Sequence, residues 1–284
     1  DFMPQVDQFE SVFRAAVKDV YVYEPVTLSQ ILLVTDLSED EAHPYVEKVQ
    51  QFVGQSSAQW RIIYGNECDT AESLLNFVES HQYDLICTYR NLHTAAWQFP
   101  HSLGDKLDVL LQKSSVPVLV LPHPKADYAA DHAMESRKTV MAVTDHLSND
   151  HCLVNYSAHF TAQSAKLFLA HIEDQLVFDR YIDAISKIST IDTDDATTRL
   201  HDRLLKMPAD YVASCRQVLS SERSDIQVCD IVQFGHHLEE YRKHIEHERI
   251  DLLVMHAKDD DQLAMHGLAY PLAVELRQIP LLML

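Results

Sequence analysis

At 284 residues, 46% hydrophobic and 23% charged, the chain has the composition of a globular protein with room for one or two cored domains. A formal net charge of −20, with no cluster of lysine and arginine, excludes nucleic acid and anionic membrane surfaces as partners. Five scattered cysteines with no Cys-x-x-Cys pair point to a reducing, cytoplasmic setting. No signal peptide and no apolar run of membrane-spanning length is present.

The first 25 residues carry Val6, Phe9, Val12, Phe13 and Val17 at helical spacing, with Tyr21 and Tyr23 alternating after them. They read either as an amphipathic helix docked on one domain or as a connector from a preceding domain. Ile31–Thr35 is a β-branched apolar run and predicts a buried strand. Ser38 caps the next helix, with Glu39, Asp40 and Glu41 in its first turn; Val46, Val49, Phe52 and Val53 form its apolar stripe, and Gly54 ends it. A strand at Trp60–Tyr64, a helix at Ala71–Ser80 and a strand at Tyr83–Tyr89 follow. A helix marked by Leu103, Leu107, Leu110 and Leu111 and a strand at Val116–Pro122 close the first unit, 26–124. Residues 125–137, rich in alanine and charge, read as a linker.

The second unit, 138–284, repeats the grammar. Strands are expected at Thr139–Thr144, Ala165–Ile172, Asp225–Val232, Asp251–Ala257 and Ile279–Leu284. Helices are expected at Asp150–Gln163, His236–Glu248 and Leu268–Arg277, with an enlarged helical region from Gln175 to Ser221 interrupted at Pro208. Strands alternating with helices mean βαβ crossovers and parallel sheets. The stretch "ILLVTDLSED" (Ile31–Asp40) has its counterpart in "TVMAVTDHLSND" (Thr139–Asp150), which places Asp36 and Asp145 alike at a strand end. The interval from Asp36 to Gly104 is far shorter than that from Asp145 to Gly267, so the first unit is expected to lack one strand–helix pair.

Only 5 glycines are present, against the usual share of about 7%. Phosphate-cradling loops need glycine where backbone amides approach a ligand closely, and this chain has little to offer.

The segments "VTDLS", "DLICTY" and "SLGDKLDVLLQKSSVPVLVLP" resemble a universal stress protein domain, and "VTDHLS", "RIDLLVMHA" and "HGLAYPLAVELRQIPLLML" resemble it more loosely. The likeness covers nearly all the chain except the first 25 or so residues and the enlarged helical region. It implies an α/β fold of two Rossmann-like (adenine nucleotide alpha hydrolase-like) parallel-sheet domains in tandem. It also implies a non-enzymatic stress-response accessory protein acting through an unknown protein partner or small ligand. Nucleotide-binding members carry Gly-x2-Gly-x9-Gly-Ser/Thr after the fourth strand and an aspartate ending the first. Gly104 and Gly267 match the last glycine, and Asp36 and Asp145 match the aspartate. The other two glycines are absent, and the hydroxyl after the last is replaced by Asp105 in one unit and Leu268 in the other. One lost charge-assisted hydrogen bond costs about 1.5–3 kcal/mol, and a carboxylate facing phosphate adds repulsion. Thr35, Asp36, Gly104 and Asp105, with Thr144, Asp145, His256 and Gly267, are thus degenerate nucleotide-pocket positions, with residual ATP binding as the alternative. The aspartates either meet a ligand or make turn hydrogen bonds; the surviving glycines read as helix starts packed closely on the sheet.

His237, Glu240, His244 and His247 share a helix face without the His-Glu-x-x-His spacing, and three acids run from Asp259 to Asp261. Both read as solvated surface, so no metal and no other cofactor is expected. Arg90, Trp97 and Phe99 fall where the first phosphate loop belongs; the two aromatics either plug the cleft or line an apolar pocket. No Ser-His-Asp pattern, catalytic cysteine or Walker loop is present, and no enzymatic activity is expected. In the family the last strands commonly pair, so "VPVLVLP" and "IPLLML" are expected to meet within the chain as a pseudo-dimer, which also hides two apolar edges; a homodimer is a further possibility.

Overall fold

Most of the apolar runs are buried on both faces, which requires helices above and below a shared sheet. The computed structural model, which describes residues 20–144, 150–258 and 269–284, has that arrangement. In chain order the elements are β1 (Gln30–Val34), α1 (Glu39–Val53), β2 (Gln59–Ile63), α2 (Ala71–Glu79), β3 (Leu85–Tyr89), a 3₁₀ turn (Ala95–Gln98), α3 (Asp105–Lys113) and β4 (Val118–Leu121). There follow β5 (Thr139–Val143), α4 (His151–Phe160), β6 (Lys166–Asp174), α5 (Gln175–Ser186), α6 (Thr193–Glu222) and β7 (Gln227–Gly235). The chain closes with α7 (His237–His247), β8 (Leu252–Met255), α8 (Ala269–Glu275) and β9 (Leu281–Met283).

The strands form one sheet in the order β2-β1-β3-β4-β9-β8-β5-β6-β7. Every adjacent pair is parallel except β4 and β9, which run antiparallel with Val118 opposite Met283 and Val120 opposite Leu281. Four strands lie on one side of that joint and five on the other. Alternate strand residues then feed two cores. Ile31, Leu33, Leu119, Ala142 and Leu282 pack beneath α1, α4 and α6, while Leu32, Val120, Met141, Leu253 and Leu281 pack beneath α2, α3, α7 and α8. Both cores continue across the antiparallel joint, so the two halves share their apolar interior.

The Asp-Leu dipeptides have a structural role in both halves. Asp84 Oδ2 accepts from the amides of Ser29 (2.6 Å) and Gln30 (2.9 Å), and Asp251 Oδ2 accepts from Lys138 (2.8 Å) and Thr139 (3.1 Å). Each aspartate, just ahead of its own strand, thereby fixes the start of the neighbouring parallel strand.

One expectation is corrected. The helical region does not break at Pro208, which lies buried inside the 30-residue α6. Proline removes one backbone donor, but burial of Tyr211, Val212, Cys215 and Leu219 one to three turns later holds the helix to the sheet. The break falls at 187–192 instead, where Ile188, Ser189, Thr190 and Ile191 are poor helix formers and Asp192 caps α6 by accepting from the Asp195 amide at 3.0 Å. The expected N-terminal helix lies mostly outside the described residues; Tyr21, which follows it, is buried and donates its hydroxyl to Asn155 Oδ1 at 2.5 Å.

Candidate functional site

Parallel strands place their carboxyl ends on one edge of the sheet, where open α/β folds gather ligand-binding side chains. In the first half that edge brings together Thr35 and Asp36 after β1, Tyr89 at the end of β3 and His123 after β4. The Tyr89 hydroxyl donates to Asp36 Oδ1 (2.5 Å) and accepts from the Asp36 amide (3.1 Å). Its single proton being committed to Asp36, the 2.7 Å contact with Thr35 Oγ1 has Thr35 as donor; Thr35 in turn accepts from the Leu37 amide at 3.2 Å. Asp36 Oδ2 accepts from the His93 amide at 2.6 Å. Both carboxylate oxygens are thus engaged from within the chain. Burial, with Asp36 beside it, pushes the Tyr89 phenol well up, so it stays a donor at neutral pH.

The loop after β3 folds back on itself. Asn91 and His93 adopt left-handed φ values of 55° and 63°. After glycine, asparagine tolerates the left-handed region best, which suits Asn91 to its φ of 55°. The loop's amides do not remain free: Asn91 N–H donates to Leu103 O (2.8 Å), His93 N–H to Asp36, and Thr94 N–H to Asn91 O (3.1 Å). Ser102 Oγ and Asn91 Oδ1 lock the loop's far end at 3.0 Å. Gly104 follows at φ 90° with its Cα hydrogen against the Asn91 backbone, and α3 begins at the exposed carboxylate of Asp105. The first turn of α3 carries two acids, Asp105 and Asp108, and burial together with Asp105 pushes the Asp108 carboxyl up.

The two aromatics of this loop separate. Trp97 lies flat on His123 (4.2 Å between centroids, 8° between planes), and the His123 ring meets the edge of Tyr89 at 4.8 Å. Phe99 is 58% exposed and takes no part in this stack. His123 Nδ1 accepts from the Lys125 amide at 3.1 Å, which requires the neutral ring, and burial pushes its pKa down to about 4. Arg90 turns away from the cleft. Buried, and pushed down to about 10 by that burial, it donates to Val274 O (3.1 Å) and Leu276 O (2.9 Å) at the end of α8.

In the second half Thr144 and His256 occupy the register positions of Thr35 and Tyr89, since Val140 opposes Leu252 as Ile31 opposes Leu85. His256 Nε2 lies 2.9 Å from both oxygens of Asp150, which also caps α4 by accepting from the Leu153 amide at 3.1 Å. The Thr144 carbonyl accepts from the Tyr241 hydroxyl at 3.4 Å. Asp145, Gly267 and Leu268, with the acids from Asp259 to Asp261, lie outside the described residues. On the adjacent strand, buried His171 holds Glu173 through Nε2 (3.1 Å), while its Nδ1 has no hydrogen-bond partner among the described residues. A separate open groove of about 490 Å³ sits between the starts of α5 and α7, lined by Asp174, Leu176, His236, Arg242, Lys243 and Glu246.

Among the described residues no group of three or more His, Cys, Asp or Glu is placed to hold a metal ion; Glu240, on the histidine-rich helix, is bound instead by Lys243 (2.8 Å) and Gln233 (3.1 Å). Nor is any helix among them long and apolar enough to cross a membrane. Sequence reasoning missed Tyr89, Asn91, His93 and His123. A signal existed for Asn91, since asparagine enters the left-handed region more readily than most residues, and for Tyr89, which the repeat pairs with His256.

No protein-family model matches the sequence, and no curated protein matches it. Among solved structures, a universal stress protein from Archaeoglobus fulgidus DSM 4304 is similar at 14% identity and a TM-score of 0.50, covering 91% of this chain and 88% of its own. A functionally unknown protein from Pseudomonas aeruginosa PAO1 matches at 11% identity and a TM-score of 0.44, over 100% of this chain and 89% of its own. The first likeness is one of fold: the chain shares the Rossmann-like α/β architecture, with a mostly parallel sheet, of a universal stress protein.

Proposed function

We propose that the chain is a tandem universal stress protein that acts in the stress response by binding a partner protein or small molecule, without catalysis and without gripping ATP. Its first domain, 26–124, is a sheet short of one strand–helix pair, and its second, 138–284, is the full five-stranded unit. The tandem reading is supported by strand order. Outward from the β4–β9 joint, β4, β3, β1 and β2 correspond to β9, β8, β5 and β6, with β7 left over. Asp84 and Asp251 capping equivalent strands supports it as well. The last strands then act as the pseudo-dimer contact.

The observation that carries the loss of nucleotide binding is the closure of Asp36. Its two oxygens are held by Tyr89 and His93, on a loop whose amides at 91, 93 and 94 are already bonded within the chain. Isothermal calorimetry with ATP and magnesium is expected to give no heat of binding up to millimolar nucleotide. A dissociation constant in the micromolar range would defeat this reading. A second reading, a small ligand bound within the second half, draws on the buried Nδ1 of His171, which has no hydrogen-bond partner among the described residues, since an unmet polar atom in a protein interior calls for a partner.

A further inference from the structure

We propose that the turn Ala95–Gln98 is a lid over the side chains at the carboxyl edge of the first half, latched from the other half of the sheet by Arg277. Trp97 supplies the plug. Its indole covers His123, which abuts Tyr89, whose hydroxyl holds Asp36, so the plug rests on the side chains gathered at the ends of β1, β3 and β4. The turn has little hold of its own. None of its four residues is buried, and its local bonds are Ala96 N–H to Thr94 Oγ1 (3.3 Å) and Phe99 N–H to Ala96 O (3.0 Å).

Arg277, two residues beyond α8, ties this turn to the body. Its Nη1 donates to Trp97 O (3.3 Å) and Gln98 O (3.1 Å), and its guanidinium lies 4.0 Å from the centre of the Tyr128 ring, a cation–π seat. Arg90, at the base of the same loop, reaches the opposite way to the carbonyls of Val274 and Leu276. Two arginines therefore cross between the halves, one holding the lid and the other holding the end of α8. Burial lowers the pKa of Arg90 and the like charge of Arg277 lowers it further, while Arg277 is seated by its two carbonyls and the Tyr128 ring. A shift at the end of α8 would loosen the Arg277 contact with the lid, while Arg90 holds that end of α8 separately. Such a weakly anchored segment opens on its own, below the free energy of global unfolding.

Hydrogen exchange on the full chain tests this, with Arg277→Met keeping the side-chain length and losing the donors. Amides 93–99 are expected to exchange about tenfold faster in the variant, with β1 and β3 unchanged. In a Trp60→Phe background, acrylamide is expected to quench the remaining Trp97 about twofold more strongly in Arg277→Met. Lid amides exchanging at the unmodified rate, or speeding up only together with β3, would overturn the proposal. If Arg277→Met does not fold, the unmodified protein decides: lid amides must exchange through an opening that β3 does not share, and a common rate refutes the lid. No readout uses a ligand, so failure here is distinct from failure of the binding reading above.

Discussion

Gly104→Ala is expected to lower the stability of the fold by about 3–4 kcal/mol. Two costs add. The backbone at Gly104 sits at φ 90° and ψ 151°, a region that residues with a Cβ enter at a cost of about 1–3 kcal/mol. The new methyl would also lie 2.8 Å from Asn91 Cα and 3.0 Å from Asn91 N, both backbone atoms that cannot swing aside. Relief means moving Asn91, and that frees the His93 amide from Asp36 and shifts Leu103, which is buried in the core. Gly65 is the control. It also has positive φ, 51°, but among the described residues nothing lies within 4 Å of the point a Cβ would occupy, so Gly65→Asn should cost under about 1 kcal/mol. Urea denaturation of the two variants decides; equal small losses would mean that the Asn91–Gly104 contact is not tight.

Acid is expected to weaken the fold in a window set by buried His123 and half-buried His159. Burial lowers His123 to about 4, and burial with Arg137 and Arg223 nearby lowers His159 to about 4. Each ring is neutral when folded and takes a proton near pH 6.5 when unfolded, so the unfolded chain binds more protons between the two values. Stability is therefore full above about pH 6.5 and declines as the pH falls toward 4, by on the order of 2 kcal/mol per histidine after allowance for partial solvent screening. The carboxylates of Glu41, lowered by hydrogen bonds from Ser38, and Asp225, lowered by Arg223, act in the same direction but at lower pH, since their folded values lie below the ordinary carboxylate range. Denaturation midpoints of His123→Phe and His159→Phe across pH 4–7 should each show a shallower slope than the unmodified chain. Parallel curves would mean that neither ring is held neutral.

Much of the architecture was legible because it rests on local chemistry. The alternation of apolar runs with helical stripes at Val46, Val49 and Phe52, or at Leu107, Leu110 and Leu111, dictates crossovers and a mostly parallel sheet. Pro208 misled because a proline's missing donor is a local cost, whereas burial of Tyr211 and Cys215 is a gain that only the folded chain displays. At the candidate site, Thr35 and Asp36 stand where the strand ending placed them, but their partners could not be read. Tyr89 is 53 residues from Asp36, and nothing in the run "LICTY" marks its hydroxyl for that carboxylate. Arg277 meets Trp97 across 180 residues and Arg90 meets Val274 across 184, contacts that depend on the antiparallel joint between β4 and β9.

The closed state of the first cleft is tested most directly by crystals of the full chain grown with millimolar ATP and magnesium. The account predicts Asp36 still held by Tyr89 and His93, Trp97 still on His123, and no ordered phosphate beside Gly104. A triphosphate resting on the amides at the start of α3, with Asp36 turned to the nucleotide, would contradict it.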